Sequence, residues 1–308
     1  MFTYILRRLL QGLVVIVIVS FFTFGLMHLA PGDPIDIMVG EARVTDEQIE
    51  RIRAQWGLDK PFHEQYISWV GNVIRGDFGQ SVVRRGVPVS EMVTEAAWVT
   101  IRLNVWAMIV SIGVALPVGM IAAIRRYSSF DYFSMLGATL GVALPNFWVG
   151  LMLIFLFAGQ LGLLPSSGLR GWNYYILPVA VLALEQTALL ARLMRSSTID
   201  VMTQDFVQVA RAKGLREFPI ILRHIARNAL LPVVTIIGYR ISFLLSGTIV
   251  VETVFGLPGL GRMFIDSAIR LDYQVMQAIV LLLAVVVVLG NLLTDLTYAY
   301  IDPRIRIQ

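Results

Sequence analysis

Long, uninterrupted runs of apolar residues are the feature of this sequence that most limits its fold. A helix needs about 20 consecutive apolar residues to cross ~30 Å of hydrocarbon. Runs close to this length occur at about 9–29, 99–124, 135–158, 176–193, 229–251 and 275–300. Hydrophobic residues make up 57% of the chain and charged residues only 15%, which excludes an ordinary soluble domain. We therefore expect an all-α polytopic membrane protein with six transmembrane helices.

The first apolar run follows Arg7 and Arg8, as the core of a secretory signal peptide would. It is longer than the roughly 7–15 residues of such a core, and Ala30-Pro31 offers no convincing cleavage site. We expect it to be retained as a transmembrane helix and signal anchor. Glycines and prolines interrupt the second and third runs, and we interpret them as marks of close packing and kinks: Gly113, Pro117, Gly119, Gly137, Gly141 and Pro145.

The distribution of Lys and Arg predicts the orientation, because basic residues beside short loops stay on the cytoplasmic side. One set of loops and termini is rich in them: Arg7, Arg8, Arg125, Arg126, Arg195, Arg211, Lys213, Arg216, Arg223, Arg227, Arg304 and Arg306. Short loops on the other side hold only Arg170, Arg262 and Arg270. Both termini are therefore expected in the cytoplasm, which an even number of spans permits.

The segment 31–98 is then external, and its eleven acidic against seven basic residues make it net negative. Thr45 is a plausible N-cap for a helix that Gly57 would stop, and a second amphipathic stretch at 66–74 precedes a turn at 76–79. This subdomain either caps the helix bundle or provides a docking surface for an external partner. The sequence favours neither.

A polar segment at 200–228 separates the fourth and fifth runs. Its pattern predicts two short helices joined at Gly214. Ala210 and Ala212 would let a neighbouring surface approach closely, while Arg211 and Lys213 offer positive charge. One hypothesis is contact with a cytoplasmic partner, and the other is a basic amphipathic helix that rests on anionic lipid headgroups.

Several motifs together resemble the binding-protein-dependent ABC importer permeases, and in particular their dipeptide/oligopeptide B-type subfamily. They are Arg7-Arg8, APGDP at 30–34, GLD at 57–59, GDFGQS at 76–81, ARAKG at 210–214, RNALLP at 227–232, GLPGLG at 256–261 and DPR at 302–304. The stretch 210–214 resembles the EAA loop of these permeases. Gln208 and Val209 stand where that loop usually has Glu and Ala, and the spacer before Leu231-Pro232 is longer, as in the peptide branch.

The resemblance implies a type I ABC importer permease in the bacterial inner (plasma) membrane. Its parts would be an N-terminus and first helix at 1–30, an external subdomain at 31–94, a five-helix permease domain at 95–301 and a cytoplasmic tail at 302–308. The loop would be a coupling helix that docks on an ATPase through Ala210, Arg211, Ala212, Lys213 and Gly214. Expected partners are a second permease, two cytoplasmic P-loop ATPases, an external substrate-binding protein and the lipid bilayer.

Chemistry on this chain itself is not expected. It has no G-x-x-x-x-G-K-[ST] loop and no recognised catalytic constellation, so ATP and Mg²⁺ would be bound by the partner ATPases. There is no cysteine, and the three histidines are far apart, so we expect no metal and no cofactor on this chain. The net charge of +4 forms no continuous basic stripe, which argues against nucleic-acid binding.

Ionisable residues inside the predicted spans are functional candidates, because they are expensive in hydrocarbon. They are Arg102, Glu185, Arg240 and Asp295. Glu185 and Arg240 are expected at similar depth, either as a structural ion pair between helices or as part of the path of a zwitterionic peptide.

After the fifth run, Gly256, Pro258, Gly259 and Gly261 would break a helix that resumes at 263–269. This segment is expected to be an external gate-like element or a simple connecting loop.

The mechanism that the resemblance implies is alternating access driven by ATP. A different class is an ion-coupled secondary transporter that works without an ATPase, and a third is a structural or receptor-like membrane protein. The substrate stays open among dipeptides, oligopeptides, glutathione, nickel and opine-like compounds.

Overall fold

A computed structural model of the chain describes residues 2–29, 50, 59–84, 86–241, 245 and 248–301. Within these ranges the regular elements are helices, and the only strand-like pairing is an isolated antiparallel bridge between Gln80 and Pro88. Five helical segments are long and apolar enough to cross a membrane, and a bent pair of shorter helices is a sixth candidate. The predicted all-α class is confirmed.

The helices in chain order are α1 Phe2–Leu29, α2 Phe62–Ile74, α3 Val89–Ile124, α4 Ser129–Ala143, α5 Asn146–Leu153, α6 Ile176–Met202, α7 Asp205–Ala212, α8 Ala226–Ile241, α9 Ile249–Val254, α10 Leu260–Ile269 and α11 Tyr273–Ile301. A π-helical stretch Ile154–Gln160 extends α5, and a 3₁₀ turn Trp172–Tyr175 leads into α6. A short turn Glu217–Pro219 and a π-helical stretch Ile220–Ile225 lead into α8. The described residues within 1–98 and 259–308 form one compact unit, and those within 99–258 form another.

In the first unit, α1 packs along α11. Aromatic rings join α1 to α2, because Phe24 contacts Phe62, Tyr66 and Trp69 at centroid distances of 5.4 to 5.6 Å. The hydroxyls of Ser20 and Tyr66 are also hydrogen-bonded at 2.8 Å. The predicted amphipathic stretch at 66–74 is confirmed as part of α2. The helix predicted between Thr45 and Gly57 lies outside the described residues apart from position 50.

In the second unit, α4, α5, α8 and α9 all pack against α6. Two clusters of buried side chains surround it. The first includes Leu103 of α3, Val181 of α6 and Phe255, which follows α9. The second includes Met194 of α6 with Val207 and Ile225 from the polar segment that follows it. The helix α6 thus runs through both hydrophobic cores of this unit.

The third predicted span is not a continuous helix. The helices α4 and α5 are bent by 105° at the break between them. Leu144 has φ −82° and ψ 129°, the extended conformation that a following proline enforces, and Pro145 is that proline. The kink expected from Pro145 is therefore present, and it divides the span into two short helices.

The fifth predicted span also differs from the structure. The run 229–251 was expected to be one helix, whereas α8 is described only to Ile241 and Val251 lies in the separate short helix α9. Glu252, one residue beyond the predicted span, lies on α9 and is fully buried. The end of the apolar run therefore belongs to a local structure organised around a polar side chain, which hydropathy alone does not reveal.

Gly119 brings α3 and α6 close together. A Cβ atom at Gly119 would lie 2.5 Å from the carbonyl oxygen of Ala191 and 2.8 Å from the Cβ of Met194. A Cβ at Gly113, on the same helix, would meet no atom within 4 Å. The expectation of close packing is confirmed at Gly119, where the neighbouring atoms are backbone and Cβ and cannot move aside.

Gly119→Ala should lower the free energy of unfolding by about 1–3 kcal/mol, because the helices must separate. The matched variant Gly113→Ala should be neutral or stabilise by up to about 1 kcal/mol through higher helix propensity. Unfolding of the purified chain in mixed detergent micelles measures both. Equal stabilities for the two variants would contradict the close contact.

Candidate functional site

The polar segment after α6 contains the predicted first helix and a sharp turn at Gly214. The helix α7 ends at Ala212, Gly214 has φ +74°, and the chain becomes helical again at Glu217. The Gly214 N–H donates to the carbonyl of Arg211 at 2.9 Å, which closes the turn. A positive φ favours glycine because other side chains clash with the backbone there. The expected turn between two helices is confirmed, but the second helix is not short: it continues from Glu217 through the π-helical stretch into α8 and ends at Ile241.

Ala210 does not belong to an accessible docking surface. It is only 6% exposed and packs with Val207 in the same core as Met194 and Ile225 of this chain. The surface that approaches this small residue is therefore the chain's own. Ala210 follows Val207 by three residues, so both lie on the buried face of α7.

The other face of the segment is exposed, and several of its side chains are apolar although charged ones lie between them. We call it the loop surface, and it consists of Phe206, Val209, Ala212, Lys213, Gly214, Leu215 and Phe218. Phe218 is 70% exposed. The predicted candidate Arg211 is exposed too, but its Nε donates to Glu217 Oε1 at 2.8 Å across the Gly214 turn. The sequence carried a signal for the apolar members, because Phe206 and Val207 are adjacent and cannot both face the core of one helix.

A buried ion pair joins α4 to α6 near this segment. The guanidinium of Arg195 donates to both carboxylate oxygens of Asp131, at 2.6 and 2.7 Å. Asp131 is 3% exposed and also accepts a hydrogen bond from the Tyr127 N–H at 3.0 Å, while Ser128 caps the helix N-terminus. Arg195 was expected only as one of many cytoplasmic basic residues. Its partner lies 64 residues away, so the pair is visible only in the fold.

The intramembrane candidates do not assemble as predicted. Among the described residues, Glu185 and Arg240 form no ion pair; the Glu185 Oε2 instead accepts a hydrogen bond from Asn146 Nδ2 at 2.8 Å. Asn146 is the first residue of α5 and directly follows the kink at Pro145. The bend therefore brings the side-chain amide of Asn146 within hydrogen-bonding distance of α6. Arg102 is exposed and lies beside Tyr175. The side chain of Asp295 lies outside the described residues.

Glu252 is a buried carboxylate that the sequence analysis missed. It is 0% exposed, and its Oε1 accepts hydrogen bonds from the hydroxyls of Thr100 and Thr248, both at 2.7 Å. A carboxylate inside a protein is tolerated when such donors surround it. The hydrogen bond to Thr100 joins α9 to α3. The sequence pattern did not indicate Glu252 because this residue lies just beyond the apolar run.

The predicted helix break at 256–261 is present. Gly256 has φ +61°, and α10 begins at Leu260 after the extended residue Gly259, three residues earlier than expected. Leu257 and Leu260 are buried, whereas Pro258 is exposed. The break is thus held by the apolar residues between its glycines, and only its tip is accessible.

In the first unit, the motif GDFGQS ends in a side chain that anchors it. The Ser81 hydroxyl donates to Asp272 Oδ2, and the N–H groups of Val82 and Val83 lie 3.4 Å from the same carboxylate. Asp272 is 3% exposed and directly precedes α11. The turn at the end of α2 is therefore attached to the start of α11. Within the described residues, no group of three or more His, Asp or Glu could hold a metal ion.

Comparison with known proteins identifies the fold. Residues 115–307 match the family described as "Binding-protein-dependent transport system inner membrane component", and residues 1–102 match the corresponding N-terminal family. The chain belongs to this family of permeases.

Two relatives match the permease over almost its whole length. The oligopeptide transport system permease protein AppB of Bacillus subtilis (strain 168) is 40% identical over 316 residues, which cover 99% of this chain and 100% of that protein. The glutathione transport system permease protein GsiC of Escherichia coli (strain K12) is 40% identical over 309 residues, 99% of each chain. A solved amino acid ABC transporter "with histidines" matches at 18% identity with a TM-score of 0.52, covering 68% of this chain and 93% of that one, which shows a shared fold.

The chain is therefore a multi-pass permease subunit of an ABC importer, and not itself an enzyme, as its relatives are named permeases. The alternative of an ion-coupled secondary transporter finds no support among them. Family membership implies in general terms a partner permease, an ATPase, a substrate-binding protein and the inner membrane.

Asp272→Ala should release the turn at 81–84, because three donors lose their buried acceptor. Cleavage by trypsin after the exposed Arg84 should become about tenfold faster or more. The control is Asp266→Ala, which removes an exposed carboxylate 3.7 Å from Arg262. Equal cleavage of the wild type and Asp272→Ala would show that this contact does not hold the turn.

Proposed function

We propose that this permease forms, with a second related permease, the membrane path for short peptides in an ATP-driven importer. Support comes from the two relatives above, which are named for oligopeptide and glutathione transport and match over the full chain at equal identity. Both named solutes are peptides in the chemical sense. We therefore favour a peptide with free termini over a nickel ion or an opine-like compound.

The loop surface is our candidate for the ATPase-docking site. Of the predicted set, Ala212, Lys213 and Gly214 lie on this surface and Arg211 is exposed beside it, and the structure adds exposed apolar side chains such as Phe218 and Leu215. Exposed charged residues such as Arg216 and Glu217 lie beside these apolar side chains, and an apolar centre with a polar rim is typical of a protein interface. ATP and Mg²⁺ would be bound by the two partner ATPases, since this chain has no phosphate-binding loop.

The orientation of the chain is also a proposal. We place both termini and the loop surface in the cytoplasm, because most basic residues outside the spans lie beside them. The acidic segment 31–94 is then external and available to the binding protein. We retain the division into 1–30, 31–94, 95–301 and 302–308.

Two further assignments follow from that orientation. The break formed by Gly256, Pro258, Gly259 and Gly261 would be an external gate or connection, with Pro258 at its accessible tip. The intramembrane residues Arg102, Glu185, Arg240 and Asp295 stay candidates for the path, and Glu185 is the one whose contacts support it.

Purification and reconstitution test the proposed function. The permease, isolated with its neighbouring gene products, should bring with it a second permease and two P-loop ATPases. Proteoliposomes that contain this complex should take up radiolabelled trialanine only when binding protein and ATP are both supplied. Uptake driven by an ion gradient without ATP would refute the proposal.

Phe218→Asp should weaken ATPase docking, because it places a charge at the centre of an apolar contact. We expect loss of the ATPases from the purified complex, with normal membrane insertion of the permease. Leu163→Asp is the matched control, since Leu163 is 69% exposed in a loop that the orientation places outside. Retention of the ATPases by Phe218→Asp would contradict the docking assignment.

Gly214→Asp should also uncouple ATP hydrolysis from uptake. A Cβ at Gly214 would meet no atom within 4 Å, so the strain comes from the positive φ and the new charge lies on the loop surface. The ratio of ATP hydrolysed to trialanine taken up measures coupling. An unchanged ratio would argue against a role for this turn.

A further inference from the structure

The helix α6 has one face that becomes accessible halfway along its length. Positions 185, 189, 192, 196 and 200 follow each other by three or four residues and so share a face. Glu185 is half-buried, and the four residues that follow it on this face are exposed: Leu189, Arg192, Ser196 and Asp200. Pro178 and Leu182 precede them on the same face and are buried. On this face, the residues before Glu185 are buried and the residues after it are exposed. We call the exposed part, from Leu189 to Asp200, the open half.

Neighbouring helices cover most of the other faces of α6, although Ala180 and Leu184 are also exposed. A Cβ at Gly119 of α3 would lie 2.5 Å from Ala191, and one at Gly141 of α4 would lie 3.1 Å from the Cβ of Ala188. Leu190 shares a core with Val233 of α8. The open half is thus a stretch of α6 that its neighbours in the same unit leave accessible, and it carries two ionisable side chains, Glu185 at its edge and Arg192 within it.

Lipid is a poor occupant of this gap. Glu185 lies nine residues after Ile176, about 14 Å along the helix, and therefore near the middle of ~30 Å of hydrocarbon. Arg192 is about 24 Å along, still within the span. Among the described residues neither side chain has an ion-pair partner. A charge at the depth of Glu185 requires water or a polar ligand, whereas Arg192, near the end of the predicted span, can reach the polar interface.

The backbone spacing of these two residues is close to the length of a short peptide. Glu185 and Arg192 are seven residues apart, about 10 Å along the helix axis. An extended chain spans at most about 3.5 Å per residue, so a tripeptide places its ammonium and carboxylate about 10 Å apart. Asn146 holds the Glu185 carboxylate through Oε2, and no donor among the described residues is placed on Oε1.

We infer that the open half of this α6 face binds a short zwitterionic peptide, with the ammonium group at Glu185 and the carboxylate at Arg192. This inference rests on the proposed function and adds a specific substrate site to it. Glu185 and Asn146 form the closed end of the site. The peptide therefore binds along the C-terminal half of α6, the half that leads into the loop surface.

Cysteine accessibility tests the site, because the chain contains no cysteine of its own. Leu189→Cys places a thiol between the two charges, and Leu184→Cys is the matched control, since both leucines are 39% exposed but lie on different faces. The complete complex in lipid nanodiscs without nucleotide is treated with a charged, membrane-impermeant methanethiosulfonate reagent. Modification is read on this chain alone after separation of the subunits.

We expect rapid modification at position 189, slow modification at position 184, and protection of position 189 by trialanine. N-acetyl-trialanine amide, which lacks both charges, should not protect. Added to Leu189→Cys, either Glu185→Gln or Arg192→Gln should raise the protecting concentration of trialanine about tenfold or more, the loss expected for one charge-assisted contact. Arg223→Gln, an exposed arginine off this face, should leave it unchanged.

Four results would overturn the inference. An unreactive position 189 would mean that lipid or the second permease covers the face. Equal reaction at both positions would mean general accessibility, and equal protection by the capped peptide would mean that charge is not recognised. If the reconstituted complex takes up trialanine while position 189 is not protected, the proposed function stands and this site alone is wrong.

Discussion

Hydrocarbon cannot hydrogen-bond to a polar group, and the structure of the second unit depends on this constraint. Three of its buried or half-buried carboxylates have a partner on another helix. Glu252 accepts from Thr100, Glu185 accepts from Asn146, and Asp131 accepts from Arg195. Each of these contacts lies where a helix starts or breaks, so the irregular points of the bundle are also the points at which its helices are fastened.

The helix α6 links these contacts to the polar segment that follows it. It carries Glu185 and Arg195, and Met194 packs in one core with Val207 of α7 and Ile225. Because Val207 is fully buried in that core, a displacement of the loop surface cannot leave α6 unaffected. A force applied at Phe218 or Leu215 would therefore reach the helix that carries the inferred peptide site.

Sequence patterns predicted most elements of this fold for physical reasons that are local. Apolar runs located the spans, Gly214 located the turn, and Pro145 located a kink, since each depends on one residue type or on a short window. The same patterns failed where a contact between distant residues decides. Ala210 is small because this chain packs on it, and the expected pair of Glu185 with Arg240 is replaced by a contact that the bend at Pro145 creates.

By itself, the sequence determined that this protein spans a membrane through helices, that it cannot bind ATP through a P-loop, and that it belongs among ABC importer permeases. These properties follow from composition, from missing motifs and from short motifs along the chain. The tertiary structure decided which side chains of the coupling segment are accessible and which carboxylates have partners. It also decided that one face of α6 is accessible on the C-terminal side of Glu185. These features depend on contacts between residues far apart in the chain, and hydrophobic periodicity carries no information about such contacts.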